Sequence, residues 1–155
     1  MENENPYPLP QPTPYTAPFW DACQRKSLEV SACNTCDHFF LPGGPVCPRC
    51  WSEDLGTRPV SGSGEVFSFV IYRRTYHPAI PAPYVVAIIE LIEGVRLVSN
   101  VIGCDPEEVK VGMPVQVAFE QESGFFLPRF TPVAASTTPS IKDTLNDAIK
   151  DAGEN

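Results

Sequence analysis

Residues 33–50 read CNTCDHFFLPGGPVCPRC and place four of the chain's six cysteines in two C-x-x-C pairs, ten residues apart. Three chemistries use paired cysteines: a redox dithiol, a disulfide staple and a metal site. A redox C-x-x-C normally stands once, beside a βαβ pattern, and no such pattern surrounds either pair. Two pairs in series match a tetrahedral Cys₄ zinc site, in which each tight turn supplies two thiolates. Asn34-Thr35 fills the first turn and Pro48-Arg49 the second, where Pro48 presets φ. Between them LPGGP (41–45) reverses the chain so that the turns can face each other. Cys33, Cys36, Cys47 and Cys50 are therefore the expected ligands of one structural Zn²⁺. An iron site with the same ligands, or buried cysteines without metal, are the alternatives. Four sulfurs close the coordination shell, whereas a catalytic zinc keeps a position open for water or substrate. His38 beside the first pair is then a surface residue or packs on Phe39 and Phe40.

Composition narrows the function classes. A chain of 155 residues with 43% hydrophobic content holds one ordinary domain or two small modules. A net charge of −8 opposes a nucleic-acid surface, which needs Lys and Arg against phosphate. No apolar run is long enough to span a membrane, and MENENPYPLPQP lacks a signal pattern. The expectation is a soluble, cytoplasmic protein, and in a reducing cytosol paired cysteines hold metal more often than they form disulfides.

Outward from the cysteines, the chain divides into four parts. Residues 1–15 carry prolines at alternate positions and form a Pro-rich arm. Residues 16–60 hold a helix and the zinc ribbon. TAPFWDACQRKSL offers Thr16 as N-cap, Pro18 in the first turn, and Arg25 and Lys26 at the end. Phe19 and Trp20 make an apolar face with Cys23, either packed on the ribbon or offered to another subunit. Residues 61–133 switch to period two. GEVFSFVIYRR (64–74), YVVAIIELI (84–92), VRLVSNVIG (95–103), PVQVAFEQE (114–122) and GFFLPRFTPV (124–133) read as five antiparallel strands. A break after the third, with one helical turn from Asp105, matches a mainly-β OB-fold barrel. Residues 134–155 form a linker and an amphipathic helix with Ile141, Leu145 and Ile149 on one face. That face can dock on its own barrel, grip a partner, or belong to a frayed tail.

Catalytic signals are sparse. No phosphate loop, nucleophile elbow or H-E-x-x-H occurs. Cys104 reads as a small buried hydrophobe, and Glu90 and Glu93 as barrel exterior. The chain is expected not to be an enzyme by itself. YRRTYHP (72–78) gathers Arg73, Arg74 and His77 with two tyrosines at a strand end. Such a cluster can hold a nucleotide-like ligand, pair with acidic groups of a partner, or remain solvated.

The order of an FW helix, C-x-x-C … C-P-x-C, SGSGEVFSF, PYVVAIIEL, GVRLVSNVIG, VGMPVQVAFE and LPRFTP resembles the DUF35 family of zinc-ribbon plus OB-fold proteins, over residues 16–133. The resemblance implies a non-catalytic partner of a coenzyme A enzyme: a thiolase-like subunit, a lipid-transfer-type aldolase of steroid side-chain breakdown, or a MaoC-type enoyl-CoA hydratase. It implies acyl-CoA as the shared ligand and the same four cysteines as zinc ligands. One departure stands out. The family usually has Gly after the first pair, where this chain has Asp37, so a less regular first turn is expected.

Overall fold

The computed structural model describes residues 7–134. A short helix α1 (Ala17–Gln24) leads into β1 (Glu29–Cys33), β2 (Phe39–Phe40) and β3 (Leu55–Pro59), an antiparallel sheet in the order β2-β1-β3. Five strands follow: β4 (Ser63–Tyr72), β5 (Tyr84–Leu91), β6 (Arg96–Val101), β7 (Pro114–Glu122) and β8 (Phe125–Pro132). They close into a barrel in the order β4-β5-β6-β8-β7. Every pairing is antiparallel except β6 with β8, which meet in parallel at Val101 and Phe130 alone. This is the five-stranded OB barrel expected from the alternation.

The barrel core follows from the side-chain period of two. In β5, Val85, Ala87, Ile89 and Leu91 point inward and are buried, while Val86, Ile88 and Glu90 point outward. Val66, Leu97, Val101, Val115 and Phe130 complete the interior. A bulge between Val66 and Ser68 interrupts the register and leaves Phe67 40% exposed. Gly64 is required by proximity, because a Cβ there would overlap the carbonyl oxygen of Glu90 on the neighbouring strand. Gly94, at φ 81°, turns the β5–β6 hairpin. Asp105 opens a 3₁₀ turn, Pro106–Glu108, as a reciprocal capping box with Glu108.

The modules share their packing. Leu28, just before the ribbon, joins the barrel core, and the Val60 N–H donates to its carbonyl at 2.9 Å.

Four local readings need correction. Thr16 stands at the N-cap but makes no side-chain cap; its Oγ1 accepts from the Thr13 N–H at 2.9 Å, so the hydroxyl serves the preceding turn. Arg25 and Lys26 fall beyond the helix, with Lys26 left-handed at φ 57°. β4 stops at Tyr72, which puts Arg73 and Arg74 in the loop. The ribbon strands β1, β2 and β3 were not foreseen as strands. The linker and helix expected from residue 134 onward, with Ile141, Leu145 and Ile149, lie outside the described residues.

Candidate metal centre and apolar groove

The two C-x-x-C turns face each other across the end of the ribbon. The four Sγ atoms lie within 4.8 Å of one another, with Cys33–Cys50 at 3.5 Å and Cys36–Cys47 at 3.7 Å. A sulfur–sulfur bond needs about 2.05 Å, so these are not disulfides. Zinc with four sulfurs at about 2.3 Å sets tetrahedral edges near 3.8 Å, and the observed pairs fit that geometry.

Both turns repeat one hydrogen-bond scheme. The Thr35 N–H points at Cys33 Sγ and the Arg49 N–H at Cys47 Sγ, each at 3.4 Å. The Cys33 N–H donates to His38 and the Cys47 N–H to Ser52. The residue after each pair is left-handed, Asp37 at φ 54° and Trp51 at φ 65°. That conformation explains why a glycine suits the position, and aspartate tolerates it. The first turn is thus as regular as the second, contrary to the expectation drawn from Asp37. His38 stacks on Phe40 with ring centroids 6.1 Å apart, so it packs beside the site and adds no ligand.

The electrostatics favour thiolates at the first cysteine of each turn. Burial pushes the Cys33 thiol up, but the N–H groups of Cys36 and Thr35, together with the Cys50 and Cys36 thiols, bring it down to about 6. Cys47 is lowered in the same way, against burial, by the N–H groups of Cys50 and Arg49. Cys36 is driven to about 12, by burial first and then by the neighbouring sulfurs. A divalent cation relieves this crowding of sulfur charge. The four cysteines suit a structural zinc ion, which would tie the two turns together.

The remaining cysteines are of another kind. Cys23 is fully buried in α1 and its thiol is pushed to about 12, mainly by burial. Cys104 packs against the barrel core, and burial, with Glu108 and Asp105 adding to it, raises its thiol. Both thiols are protonated at neutral pH, which makes poor nucleophiles.

A groove of about 590 Å³ opens where α1, the ribbon loop and the barrel meet. Phe19 and Trp20 form one wall, Leu41 and Gly43 the second, and Ile88, Val98 and Leu127 the barrel side. Its location follows from the barrel, since β6 and β8 share a single ladder pair, Val101 with Phe130, and next to it are joined by the Ser99 side chain rather than by strand pairing. Ile88 and Val98 are cross-strand partners on the outer face, and Val98 is 69% exposed. Gly43 lets the ribbon loop approach the start of α1, because a Cβ there would overlap the Tyr15 carbonyl oxygen. Gln24 fixes the helix to the barrel. Its Nε2 donates to the Phe126 carbonyl at 3.2 Å, and its Oε1 accepts from the Phe126 N–H at 3.0 Å. The side chain thereby imitates one rung of a β-ladder. No sequence pattern marked Gln24, because its partner lies 102 residues away.

Polar side chains around the groove are already engaged, except for the buried Nε of Arg129, which has no hydrogen-bond partner. Ser99 Oγ donates to the Pro128 carbonyl, and Asn100 Nδ2 to Val85. Arg96 pairs with Glu90 and lies over the Phe67 ring at 3.6 Å. Arg129 pairs with Glu120 and Glu122 and reaches Tyr7 of the N-terminal arm.

The structure brings Phe19 and Trp20 to the groove but not Arg73, Arg74 or His77. Arg73 pairs with Glu107 beside the 3₁₀ turn, and both are exposed. Arg74 is exposed. His77 Nδ1 accepts from the Ala79 N–H and helps fold its own loop. Tyr72 stacks on Tyr84 at 4.9 Å beside this cluster.

Family models match the chain in both modules: the ChsH2 rubredoxin-like zinc ribbon domain over residues 20–56 and the ChsH2 C-terminal OB-fold domain over 57–120. A DUF35 domain-containing scaffold protein of Methanothermobacter thermautotrophicus is 38% identical over 100 residues, covering 63% of this chain and 75% of its own. The chain belongs to the DUF35 family. This DUF35 chain is also 40% identical over 116 residues to a probable enoyl-CoA hydratase alpha subunit of Thermomonospora curvata. That match covers 74% of this chain but only 36% of the hydratase subunit, so the chain spans about a third of that relative. Among solved structures, a chain described as the Ltp2-ChsH2(DUF35) aldolase superposes with a TM-score of 0.77 at 35% identity. The match takes in 81% of this chain and 100% of that one. No described helix is long and apolar enough to cross a membrane.

Proposed function

We propose that this DUF35 chain is a non-catalytic subunit that binds and supports a thiolase-superfamily acyl-CoA enzyme, such as a thiolase or lipid-transfer-type aldolase. The observation that carries the reading is that the whole of the aldolase-associated DUF35 chain is matched by this one, ribbon and barrel together. The chemistry agrees. A Cys₄ shell leaves no open metal position, and Cys23 and Cys104 are held protonated. Phe19 and Trp20 would dock the enzyme, together with the apolar residues Ile141, Leu145 and Ile149. Arg73 and Arg74, with His77, would hold the phosphates of the acyl-CoA at the barrel end. Arg73 would exchange its exposed Glu107 partner for phosphate at small cost, because surface pairs are weak.

The second reading is a partner of a MaoC-type hydratase, favoured by the 40% identity to a hydratase alpha subunit. Partner chemistry lives in the other chain, so one experiment serves both readings. The purified complex would be titrated with acyl-CoA, with Arg73→Gln and Arg74→Gln combined, and separately with Trp20→Ala. The expected results are at least tenfold weaker acyl-CoA binding for the double variant and loss of stoichiometric assembly for Trp20→Ala. Unchanged affinity removes the ligand role of the arginines, and normal assembly removes the docking role of Trp20.

A further inference from the structure

Although the barrel is closed, β6 behaves as an edge strand over most of its length. Its ladder with β5 runs from Arg96 to Val101, but on the other side it pairs with β8 at Val101 alone. Backbone groups along an antiparallel ladder turn alternately to one side and the other. The Leu91 N–H donates to the Val95 carbonyl between β5 and β6, and the Ile102 N–H donates to the Phe130 carbonyl on the β8 side. The alternation therefore turns the backbone of Leu97 and Ser99 toward β5, and that of Arg96, Val98 and Asn100 toward the groove.

The two edges that meet here differ. On β8, Gln24 takes both the N–H and the carbonyl of Phe126, and the Pro128 carbonyl accepts from Ser99 Oγ. Pro128 has no N–H to offer. The β8 edge is thus filled, and β6 is left without a strand partner from Arg96 to Asn100. Beside this open edge stand the apolar walls of the groove, Phe19, Trp20 and Leu41, and the Val98 side chain is 69% exposed. Arg129 on the lining adds a buried Nε with no hydrogen-bond partner, 3.1 Å from the Glu120 carboxylate but not aligned with it. A purely apolar molecule here would bury the backbone groups of β6 unpaired, which is costly. An extended peptide meets both demands, pairing its backbone with β6 and placing side chains in the groove.

Resting on the accessory-subunit reading, we propose that the partner enzyme adds an extended apolar segment to β6 in this groove, as a strand beside Arg96, Val98 and Asn100. Arg96 to Asn100 rises about 13 Å, so the segment is a short one. Its alternate side chains meet Phe19 and Trp20, and it carries no proline where it must donate to β6.

The test compares the full-length chain alone with its purified enzyme complex by residue-resolved amide exchange. In the free chain Leu97 and Ser99 should be protected, while Val98 and Asn100 exchange freely. In the complex Val98 and Asn100 should slow by roughly a hundredfold or more. A second arm uses two substitutions at one position. Val98→Pro removes the groove-facing N–H and spares the β5 ladder, whereas Val98→Ala keeps that N–H. Assembly should be roughly tenfold weaker for Val98→Pro than for Val98→Ala, with protection of Leu97 and Ser99 showing that the barrel is intact. If that protection is lost, the exchange comparison on the parent chain decides alone. A complex in which Val98 and Asn100 still exchange freely would overturn the proposal and leave the accessory reading standing. Protection of both amides in the free chain would show the edge filled by the chain itself or a second copy, and would also overturn it. Failure to form any complex would remove the accessory reading and the proposal together.

Discussion

Beneath the ribbon sheet the chain buries Val30, Ala32 and Phe40, whereas the barrel encloses Val66, Val85, Ile89, Leu91, Leu97, Val101, Val115 and Phe130 around one centre. The ribbon's β2 is two residues long, and its loops are held by four thiol groups from two turns. The barrel is held by closed strand pairing, and the four clustered cysteines all lie in the ribbon. The contrast sets a module with a small core and a cluster of four cysteines beside one with a larger enclosed core, in one chain. It also shows where binding surfaces arise, because the apolar groove lies at the seam between the two kinds of construction.

The comparison breaks most sharply if metal is removed. Structural zinc supplies about 10–16 kcal/mol of binding in small zinc modules, so Cys36→Ser or prolonged chelation should release the metal and unfold residues 29–59. Protease cuts should then appear in the ribbon while β4 to β8 stay protected, read by mass spectrometry of the fragments. Equal loss of protection in the barrel would show that the two modules stand or fall together.

The reciprocal change is Phe130→Ala. It empties the middle of the barrel and should cost about 3–5 kcal/mol in urea unfolding. Zinc content should remain near one per chain if the ribbon holds its own fold. At the seam, Gln24→Ala removes two hydrogen bonds to the Phe126 backbone and should cost roughly 1–3 kcal/mol. Its signature is a loosened α1, visible as faster amide exchange at 17–24 with little change in β5.

The smallest expected effect concerns pH. Cys23 is pushed up to about 12, so the folded state keeps the thiol protonated where the unfolded chain, at an ordinary value near 9, loses it. Its contribution to stability is full below pH 9 and is lost as pH rises toward 12. Cys23→Ala should flatten the alkaline slope of urea stability relative to the parent chain. An unchanged slope would assign alkaline unfolding to other groups.

Much of the fold was legible because it rests on local signals. The two C-x-x-C turns announced themselves by spacing, and the barrel strands by period-two runs ended at turns such as Gly94. The ribbon strands were hidden. β2 is two residues long, and LGTRP in β3 has neither alternation nor β-branched density, so both exist through pairing with β1. Thr16 looked like an N-cap, yet competition from Thr13 for its hydroxyl is invisible in a residue pattern. The groove was illegible for a related reason. It needs α1, a ribbon loop and two barrel strands brought together, and Gln24, Gly43 and Val98 acquire their roles only through that juxtaposition.

The central claim, an accessory subunit for an acyl-CoA enzyme, is tested most directly by recovering the tagged full-length chain from its native cell and identifying bound proteins by quantitative mass spectrometry. The account predicts a thiolase-like, aldolase-like or hydratase-like subunit in near-equal amount, together with one zinc per chain. A zinc-loaded monomer with no such subunit would contradict it and leave a free-standing binding protein.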